Sequence, residues 1–386
     1  MQTLYFLKCA GNIIGDAFSY AMRLHQAIGR MRGEDDGLPA KNILLIKFWG
    51  IGNLVLLFPV IKSIKEHYTG CKIYLLTLDS NRGLLEGSPY LSGIMYFKFS
   101  KNILVIAADF IKHLARIRRS KIDLLLNFEQ CNRLSIIFSY LTLAKKRLGF
   151  EISKCAYNCL YTKTVKNDPG LHVSLNFMNL VRETRVKIEK YGYSPPFVNA
   201  AVKERVKEVR LQLGLEGKRI AALHAGSGEN FKGKRWDHIN FSRLADRLIE
   251  RHKVSVVFTG TKKECPLIKD AIAKMKHGAV NLCGRIDLQE LTEFLGNCYV
   301  FISNDTGPLH IAISLGINTA GIYGPMNPAQ YGSLNKNSLS FYKPLKCSPC
   351  LTDLNGKTSF CARPKCLEGI TVDEVLQGIS DEFFKN

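Results

Sequence analysis

Short apolar runs alternate along this chain with glycine-bearing turns and with longer segments in which apolar residues recur at helical spacing. Residues 42–46 form one continuous apolar run, Gly50–Asn53 form a turn, and residues 54–68 have helical periodicity. Uninterrupted apolar strands are expected in the middle of a parallel sheet that helices cover on both faces. This order of strand, glycine turn and helix predicts the first unit of a Rossmann-like domain.

The second half of the chain repeats this pattern. Residues 219–224 predict a strand, residues 241–251 a helix, and residues 254–259 the next strand. We therefore expect an α/β fold with two doubly wound, Rossmann-like domains that face each other across a cleft. The predicted parts are an N-terminal helical extension, the two domains, and a cysteine-containing C-terminal segment with a helix, at residues 1–40, 41–197, 198–345 and 346–386.

The segment at residues 301–325 contains the most informative junction. An apolar run ends there in a group of turn-forming residues, and Pro308 then suits the first position of a helix. Free backbone N–H groups and the helix dipole favour a phosphate at such a position. We expect Gly307 to permit close backbone approach and Thr306 to cap the helix. An ordinary junction with a capping threonine and a surface histidine is the alternative interpretation.

The charge of the chain indicates an acidic partner. It has 54 lysines and arginines against 33 acidic residues, so its formal net charge is +21. Nucleic acid, an anionic membrane surface and a phosphorylated substrate each fit such a charge. The sequence contains no zinc-finger spacing and no aromatic RNA-recognition string, which argues against nucleic acid.

The N-terminal residues do not resemble a secretory signal or a transmembrane span, because polar residues interrupt them too often. Residues 4–28 instead predict a loosely amphipathic helix. Such a helix lies on a membrane surface or packs against the domain, and the sequence leaves both interpretations open.

The twelve cysteines, without a predicted signal peptide, point to the reducing cytosol and to mostly buried thiols. Four of them lie in a segment rich in glycine, proline and lysine with little apolar sequence of its own. The C-x-x-C spacing of the first two is half of a tetrahedral thiolate site, which predicts a structural zinc or iron ion. Four unpaired thiols are the alternative. The candidate ligands are Cys347, Cys350, Cys361 and Cys366.

Two motifs carry a resemblance to a known family. The strings D-T-G-P-L-H-I-A-I-S-L-G-I from Asp305 and Y-G-P-M-N-P from Tyr323 resemble the signature of the glycosyltransferase family nine heptosyltransferases. The similarity can be followed from about Asn42 to about Tyr331. It implies an inverting GT-B enzyme that moves a sugar, typically from ADP-heptose, onto the lipopolysaccharide inner core. No cofactor is implied for catalysis, and such an enzyme would be cytoplasmic and peripheral on the inner membrane.

The resemblance also implies a set of donor-binding residues. In family members a lysine before a tryptophan contacts the donor phosphates, and Lys234 in K-R-W is the match here, with Lys232 as a second candidate. A lysine and a helix N-terminus would stabilise the nucleoside diphosphate that leaves with added negative charge. Asp305 is expected to hold the sugar hydroxyls and Glu264 the ribose hydroxyls of the donor. The alternatives are a solvated basic loop for the segment around Lys234 and a solvated glutamate at a helix start for Glu264. The full set is Ser227, Lys234, Glu264, Asp305, Thr306, Gly307 and His310.

The expected general base is missing from its position. Heptosyltransferases have Gly-Asp at the first glycine turn, whereas this chain has Gly52-Asn53, and an amide cannot accept a proton. Either the base lies elsewhere in the cleft, with Glu129 or Asp79 as candidates, or the acceptor differs, or activity has been lost. Asn53 can still orient an acceptor, so the predicted catalytic residues are Asn53, Glu129 and Lys234. A catalytically impaired nucleotide-sugar-binding homologue and a sugar-nucleotide epimerase are the alternative functions.

Basic residues on the predicted helices of the first domain suggest the acceptor side. Lys62 and Lys65 lie on the helix after the first glycine turn, and Arg116 and Arg119 lie on a later helix. Anionic lipid attracts each nearby cation, so a phosphorylated glycolipid in the inner leaflet would meet such a surface. We therefore expect these four residues to bind an anionic glycolipid acceptor at the inner-membrane surface. A solvated basic surface is the alternative.

Overall fold

The computed structural model describes residues 40–98, 100, 102–130, 132–153, 155–188, 191–228, 233–352, 361 and 363–385. The amphipathic helix expected at residues 4–28 and the second phosphate candidate Lys232 lie outside this part of the chain. None of the described helices is long and apolar enough to cross a lipid bilayer.

The first domain is a parallel sheet of six strands in the order β3-β2-β1-β4-β5-β6. Four of the five residues of the central strand β1 are fully buried, as its uninterrupted apolar sequence predicts. The strands are β1 (Asn42–Ile46), β2 (Lys72–Leu78), β3 (Gly93–Phe97), β4 (Leu124–Asn127), β5 (Lys146–Glu151) and β6 (Lys163–Lys166). The helices are α1 (Ile51–His67), α2 (Arg82–Leu85), α3 (Ile103–Arg119), α4 (Arg133–Leu141) and α5 (Val173–Arg182).

Helices cover both faces of this sheet. On one face, α5 contributes Phe177, whose ring centroid lies 5.3 Å from that of Phe128, and α1 packs beside it. On the other face, Phe110 of α3 and Phe138 of α4 have ring centroids 4.8 Å apart. A helix that connects two parallel strands runs back across the sheet, so its N-terminus lies at the carboxyl edge of the strands and its C-terminus at the opposite edge.

The second domain is another parallel six-stranded sheet, in the order β12-β11-β10-β7-β8-β9. Its strands are β7 (Ile220–His224), β8 (Ser255–Phe258), β9 (Val280–Asn281), β10 (Val300–Asn304), β11 (Asn318–Tyr323) and β12 (Ser338–Tyr342). Its helices are α6 (Ala200–Gln212), α7 (His238–His252), α8 (Cys265–Ala273), α9 (Leu288–Gly296), α10 (Gly307–Ser314), α11 (Pro328–Tyr331), α12 (Lys365–Glu368) and α13 (Val372–Phe383).

The C-terminal helix packs on the second domain. α13 lies against α7, and Nε2 of His252 is 2.8 Å from the Ser380 hydroxyl. The indole N–H of the buried Trp236 donates to the carbonyl oxygen of Ile370 at 2.9 Å. The described residues beyond 363 therefore extend the apolar core of this domain.

The two domains meet where the helices after their central strands begin. The N-terminus of α1 contacts the N-terminus of α10, and apolar side chains of both domains share one buried cluster. A Cβ atom on Gly52 would lie 2.9 Å from Nε2 of His310. A Cβ atom on Gly307 would lie 2.8 Å from Cβ of Ile51. Two glycines thus permit the close approach, and the two α/β domains confirm the predicted fold class.

Polar contacts reinforce this seam between the domains. Nε2 of His172, at the start of α5, lies 2.8 Å from the carbonyl oxygen of Gly332. The side-chain amide of Gln289 in α9 donates to the carbonyl oxygen of Glu86 at 2.9 Å. Each bond joins a residue of the first domain to one of the second.

Candidate active site

A cavity of about 820 Å³ lies between the two domains. Residues 50–53 after β1 and residues 305–308 after β10 line it from opposite domains. The loops after β7, β8 and β9 add residues 227–228, 259–262 and 284–287. Parallel sheets place their ligand sites outside the carboxyl ends of the strands, so this cavity is the candidate active site.

Three ionisable side chains of the second domain meet at the cavity. Nζ of Lys234 lies 2.7 Å from Oδ2 of Asp305, and Nε2 of His310 lies 3.7 Å from Oδ1. Burial alone would raise the pKa of Asp305, but Lys234 and His310 hold it well below its usual range. Asp305 is therefore ionised at neutral pH and is too weak a base to take a proton from an acceptor.

The start of α10 presents its backbone to the same cavity. Thr306 occupies the N-cap position, but its side chain makes no capping hydrogen bond, and its hydroxyl pairs with the Ser303 hydroxyl at 2.9 Å. The expected capping role of Thr306 is therefore wrong, because this hydroxyl turns toward the preceding strand. The Thr306 side chain therefore does not satisfy the first amides of α10, which every helix leaves without an intrahelical partner. Gly307 packs on Ile51, so its missing side chain serves the contact between domains.

An arginine holds the loop after β7. Ser227, an expected donor contact, lines the cavity, and its hydroxyl accepts from Nε of Arg235 at 3.1 Å. Nη2 of Arg235 donates to the carbonyl oxygen of Gly228 at 3.0 Å. In the K-R-W string the arginine therefore stabilises the loop, while Lys234 reaches Asp305.

Glu264 lines the cavity, but its oxygens already have protein partners. Oε1 accepts from the Gly228 amide at 3.0 Å, and Oε2 accepts from the amide and the hydroxyl of Thr261 at 2.9 Å each. Burial alone would raise the pKa of Glu264, but His224 and these hydrogen bonds lower it. The carboxylate thus joins two loops of the cavity, and its contact with a donor ribose stays a prediction.

The described residues that line the cavity from the first domain carry no charge. Asn53 lies in the first turn of α1, is buried and lines the cavity. The preceding Gly52 packs on the ring of His310, so this turn touches the ionisable cluster. Among the described residues that line the cavity, all the carboxylates come from the second domain: Glu264, Asp287, Glu290 and Asp305.

Neither candidate for a replacement base lies among the described lining residues. Oε1 of the buried Glu129 accepts from the backbone N–H groups of Phe48 at 2.7 Å and Trp49 at 3.2 Å. Glu129 therefore positions the turn after β1, which corrects its expected role as a catalytic base. Asp79 instead forms an ion pair with Arg82 at 2.8 Å.

The four basic residues expected to bind an acceptor also lie away from the cavity: Lys62, Lys65, Arg116 and Arg119. The first two are in the C-terminal half of α1, and the other two are in the last turn of α3. Lys65 is about 20 Å along the helix axis from Gly52, at a rise of about 1.5 Å per residue. Helix C-termini lie at the sheet edge opposite the cleft. The expectation that these four residues contact an acceptor in the cavity is therefore corrected.

Sequence reasoning missed the loop after β9. Arg285 and Asp287 line the cavity, and Oδ1 of Asp287 accepts from the Glu290 amide at 2.8 Å. β9 has only two residues, too few for an apolar pattern to be detected. The capping box formed by Asp287 and Glu290 at the start of α9 was the available signal.

The four C-terminal cysteines lie in a segment that the structure describes only in part. Cys366 is buried, and Cys347 and Cys361 are exposed. Burial first, and then the nearby Cys350 and Cys361, raise the pKa of Cys366, so these three lie in one neighbourhood. Within the part of the chain that the structure describes, no three cysteine, histidine or acidic side chains are grouped closely enough to hold a metal ion. A metal ion at these four cysteines therefore stays a prediction.

Comparisons with known proteins point to one family. The family model described as Glycosyltransferase family 9 (heptosyltransferase) matches residues 110–358. The lipooligosaccharide heptosyltransferase 2 of Campylobacter jejuni subsp. jejuni serotype O:6 is 20% identical over 341 residues, which cover 85% of this chain and 95% of that protein.

Solved structures share the whole fold. The glycosyl transferase family 9 protein from Veillonella parvula matches with a TM-score of 0.74 and 18% identity, over 90% of this chain and 98% of that one. The E. coli ADP-heptose LPS heptosyltransferase II matches with a TM-score of 0.69 and 17% identity, over 89% of this chain and 98% of that one. At these identities the likeness shows the fold alone, the two-domain GT-B arrangement.

Proposed function

This chain belongs to glycosyltransferase family 9, the heptosyltransferases, and from that premise we propose that it uses ADP-heptose as donor and a lipopolysaccharide-type core glycan as acceptor. Family membership supports glycosyl transfer, and heptose transfer to a lipopolysaccharide core in general terms. The proposal adds that the nucleotide of the donor is ADP and that the configuration at the anomeric carbon is inverted.

The ion pair of Lys234 and Asp305 beside the start of α10 is the observation that carries the proposal. In the reaction, the bond between the anomeric carbon and a diphosphate oxygen breaks, and the nucleoside diphosphate leaves with added negative charge. The Lys234 ammonium and the amides of the helix N-terminus stabilise that charge. One such donor is typically worth about 3 kcal/mol of transition-state stabilisation.

In this proposal Asp305 binds the transferred sugar and Asn53 binds the acceptor. The ionised Asp305 accepts hydrogen bonds from hydroxyls of the transferred sugar, a role that suits its low pKa. Asn53 on the facing wall accepts a hydrogen bond from the attacking acceptor hydroxyl through its carbonyl oxygen and so orients it. Inversion follows when the acceptor oxygen attacks the anomeric carbon on the face opposite the departing diphosphate, and the proton of the acceptor hydroxyl passes to solvent water, because Asn53 cannot accept it.

A donor-binding protein with little transfer activity is the second candidate. Asn53 favours it, because the family expectation for this position is a general base and an amide cannot accept a proton. The carboxylates among the described lining residues all lie on the second domain, which favours it further.

The proposal includes an anionic glycolipid acceptor, reached at the cytoplasmic face of the inner membrane. The net charge of +21 supports it, since cations are attracted to anionic lipid. A zinc or iron ion at the four cysteines is a separate prediction, and elemental analysis of the purified full chain checks it.

A donor and acceptor panel tests the proposal. The full chain is incubated with ADP-, GDP- and UDP-linked sugars, with and without a lipid-free core oligosaccharide, and both nucleotide release and acceptor mass are measured. We expect ADP release from ADP-heptose and the mass of one heptose added to the acceptor. ADP-heptose binding without transfer would support the second candidate, and a gain of transfer in Asn53→Asp would identify the amide as the cause. No binding of any ADP-linked sugar would contradict both.

A further inference from the structure

The outer surface of α3 has a composition unusual for a helix that faces water. Asp109 is the only acidic residue in the sequence of this helix, and its carboxylate accepts from the Lys98 amide at 2.8 Å and lies 3.5 Å from Nε2 of His113. The exposed positions of α3 are mainly apolar in its first turns and mainly cationic in its last turns. The larger exposed side chains include Ile103, Leu104, Val105, Ile111, Arg116 and Arg119.

Helical spacing gathers the apolar positions into one stripe, which consists of Leu104, Ala108, Ile111 and Ala115. At about 3.6 residues per turn, these four project within a sector of roughly 60°. Ile106 and Ile117 point the other way and are buried against the sheet. In the stripe, Leu104 is 74% exposed and Ile111 is 65% exposed, so its largest side chains have no cover among the described residues.

The neighbouring helix α4 also has exposed apolar side chains near its ends. Leu134 at the start of α4 and Leu143 after its end are also exposed. Nε of Arg118 donates to the carbonyl oxygen of Leu141 at 2.9 Å, so the cationic end of α3 lies beside the end of α4. The start of α3 lies at the carboxyl edge of the sheet, the edge that carries the cavity.

We propose that the outer face of α3 rests on an anionic lipid bilayer, with the helix in the membrane plane and the apolar stripe inserted at the boundary between headgroups and acyl chains. The inference rests on the proposed function, because a lipid-anchored acceptor has to reach the cavity from the membrane. Apolar insertion and cation attraction act together on such a helix, and the acid-free surface adds no repulsion. Arg116 and Arg119, which lie away from the cavity, then contact lipid headgroups.

Vesicle binding by the full chain tests the proposal. Sedimentation with phosphatidylcholine vesicles, with and without phosphatidylglycerol, is measured for the parent chain and for the double variant Leu104→Ser with Ile111→Ser. We expect the parent to bind only the phosphatidylglycerol vesicles and the double variant to bind them roughly tenfold more weakly at every salt concentration, because apolar insertion does not depend on charge. The double variant Arg116→Gln with Arg119→Gln should bind these vesicles more weakly than the parent only at low salt.

Leu211→Ser with Leu334→Ser is the matched control. These leucines are 66% and 50% exposed and belong to the second domain, so the pair removes the same kind of exposed side chain from another surface. Parent-like binding by the control supports the proposal. An equal loss in the control, parent-like binding by the α3 variant, or failure of the parent to bind phosphatidylglycerol vesicles overturns it. If another part of the chain covers the stripe, the parent chain will not bind these vesicles, and the proposal is overturned in the same way.

Transfer to a lipid-free core oligosaccharide separates this inference from the proposed function. We expect Leu104→Ser with Ile111→Ser to transfer to the soluble acceptor at the parent rate and to a vesicle-embedded acceptor more slowly. An equal loss on both acceptors overturns the docking surface and leaves the proposed function standing. Vesicle binding that depends on the stripe, in a chain that transfers to neither acceptor, supports the docking surface and contradicts transfer.

Discussion

The turn after β1 and the turn after β10 have the same local architecture and different chemistry. Each joins a central strand to the N-terminus of a helix, and both line the cavity. The turn after β10 carries Asp305 and, one helical turn later, His310, while Lys234 reaches it from the loop after β7. The turn after β1 carries Asn53 between small and apolar residues. The fold thus supplies a helix N-terminus to both walls, and among the described lining residues the charged side chains belong to one wall alone.

This asymmetry suits a substrate that is charged at one end. A nucleotide sugar has its charge on the diphosphate, whereas the sugar hydroxyls and a hydroxyl acceptor are neutral. A cation and helix amides on the second-domain wall match the diphosphate. A neutral amide on the first-domain wall matches a hydroxyl, because it both donates and accepts hydrogen bonds.

The largest expected effect comes from Lys234→Ala, which breaks the charged wall. Asp305 would remain buried without its ammonium partner, and breaking a buried pair in this way costs about 3–5 kcal/mol. We expect a lower free energy of unfolding and an affinity for ADP weakened by about 100-fold. Chemical denaturation and ADP titration are the measurements. Lys269→Ala, on the exposed side of α8, is the control, and parent-like ADP affinity in Lys234→Ala would contradict the assignment of this wall.

The next effect concerns the seam that brings the two turns together. Burial lowers the pKa of His172 from 6.5 to about 4, although its bond to the Gly332 carbonyl opposes the shift. As pH falls, the unfolded chain therefore takes up the proton before the folded chain does. The contribution of the neutral His172 to the free energy of unfolding is complete above about pH 6.5 and is lost toward about pH 4. This contribution totals about 3 kcal/mol.

Chemical denaturation at several pH values between about 7 and 4 checks this sign. His172→Gln, which retains a side-chain donor for the Gly332 carbonyl and does not titrate, should lose less stability over that interval than the parent. Parallel loss in both proteins would show that other groups cause the pH dependence.

A smaller effect is expected from Gly52→Ala, which tests the contact between the two turns. The added Cβ would lie 2.9 Å from Nε2 of His310, and overpacking of this kind costs about 1–3 kcal/mol. We expect transfer to fall roughly tenfold as the turns separate. Gly278→Ala is the control, because a Cβ there meets no atom within 4 Å. Equal rates in the two variants would mean that the close approach is not needed.

Particular elements show what could be predicted. The uninterrupted apolar run of β1 predicted a central parallel strand, and the same pattern in the second half predicted the second domain. Lys62 and Arg116 were recognised as basic helix positions, but they lie near the C-terminal ends of their helices and far from the cleft. Glu129 follows a strand at the expected edge, yet two backbone amides draw its carboxylate inward.

The sequence by itself determined the fold class, the two-domain order and the family, because apolar periodicity and a long signature are local in the chain. Only the tertiary structure decided which side chains share the cavity. Lys234 and Asp305 are 71 residues apart, and Gly52 meets His310 from another domain. Which residues become partners depends on how the two domains pack against each other. That packing is determined by side chains from the whole chain, so no local pattern reveals it.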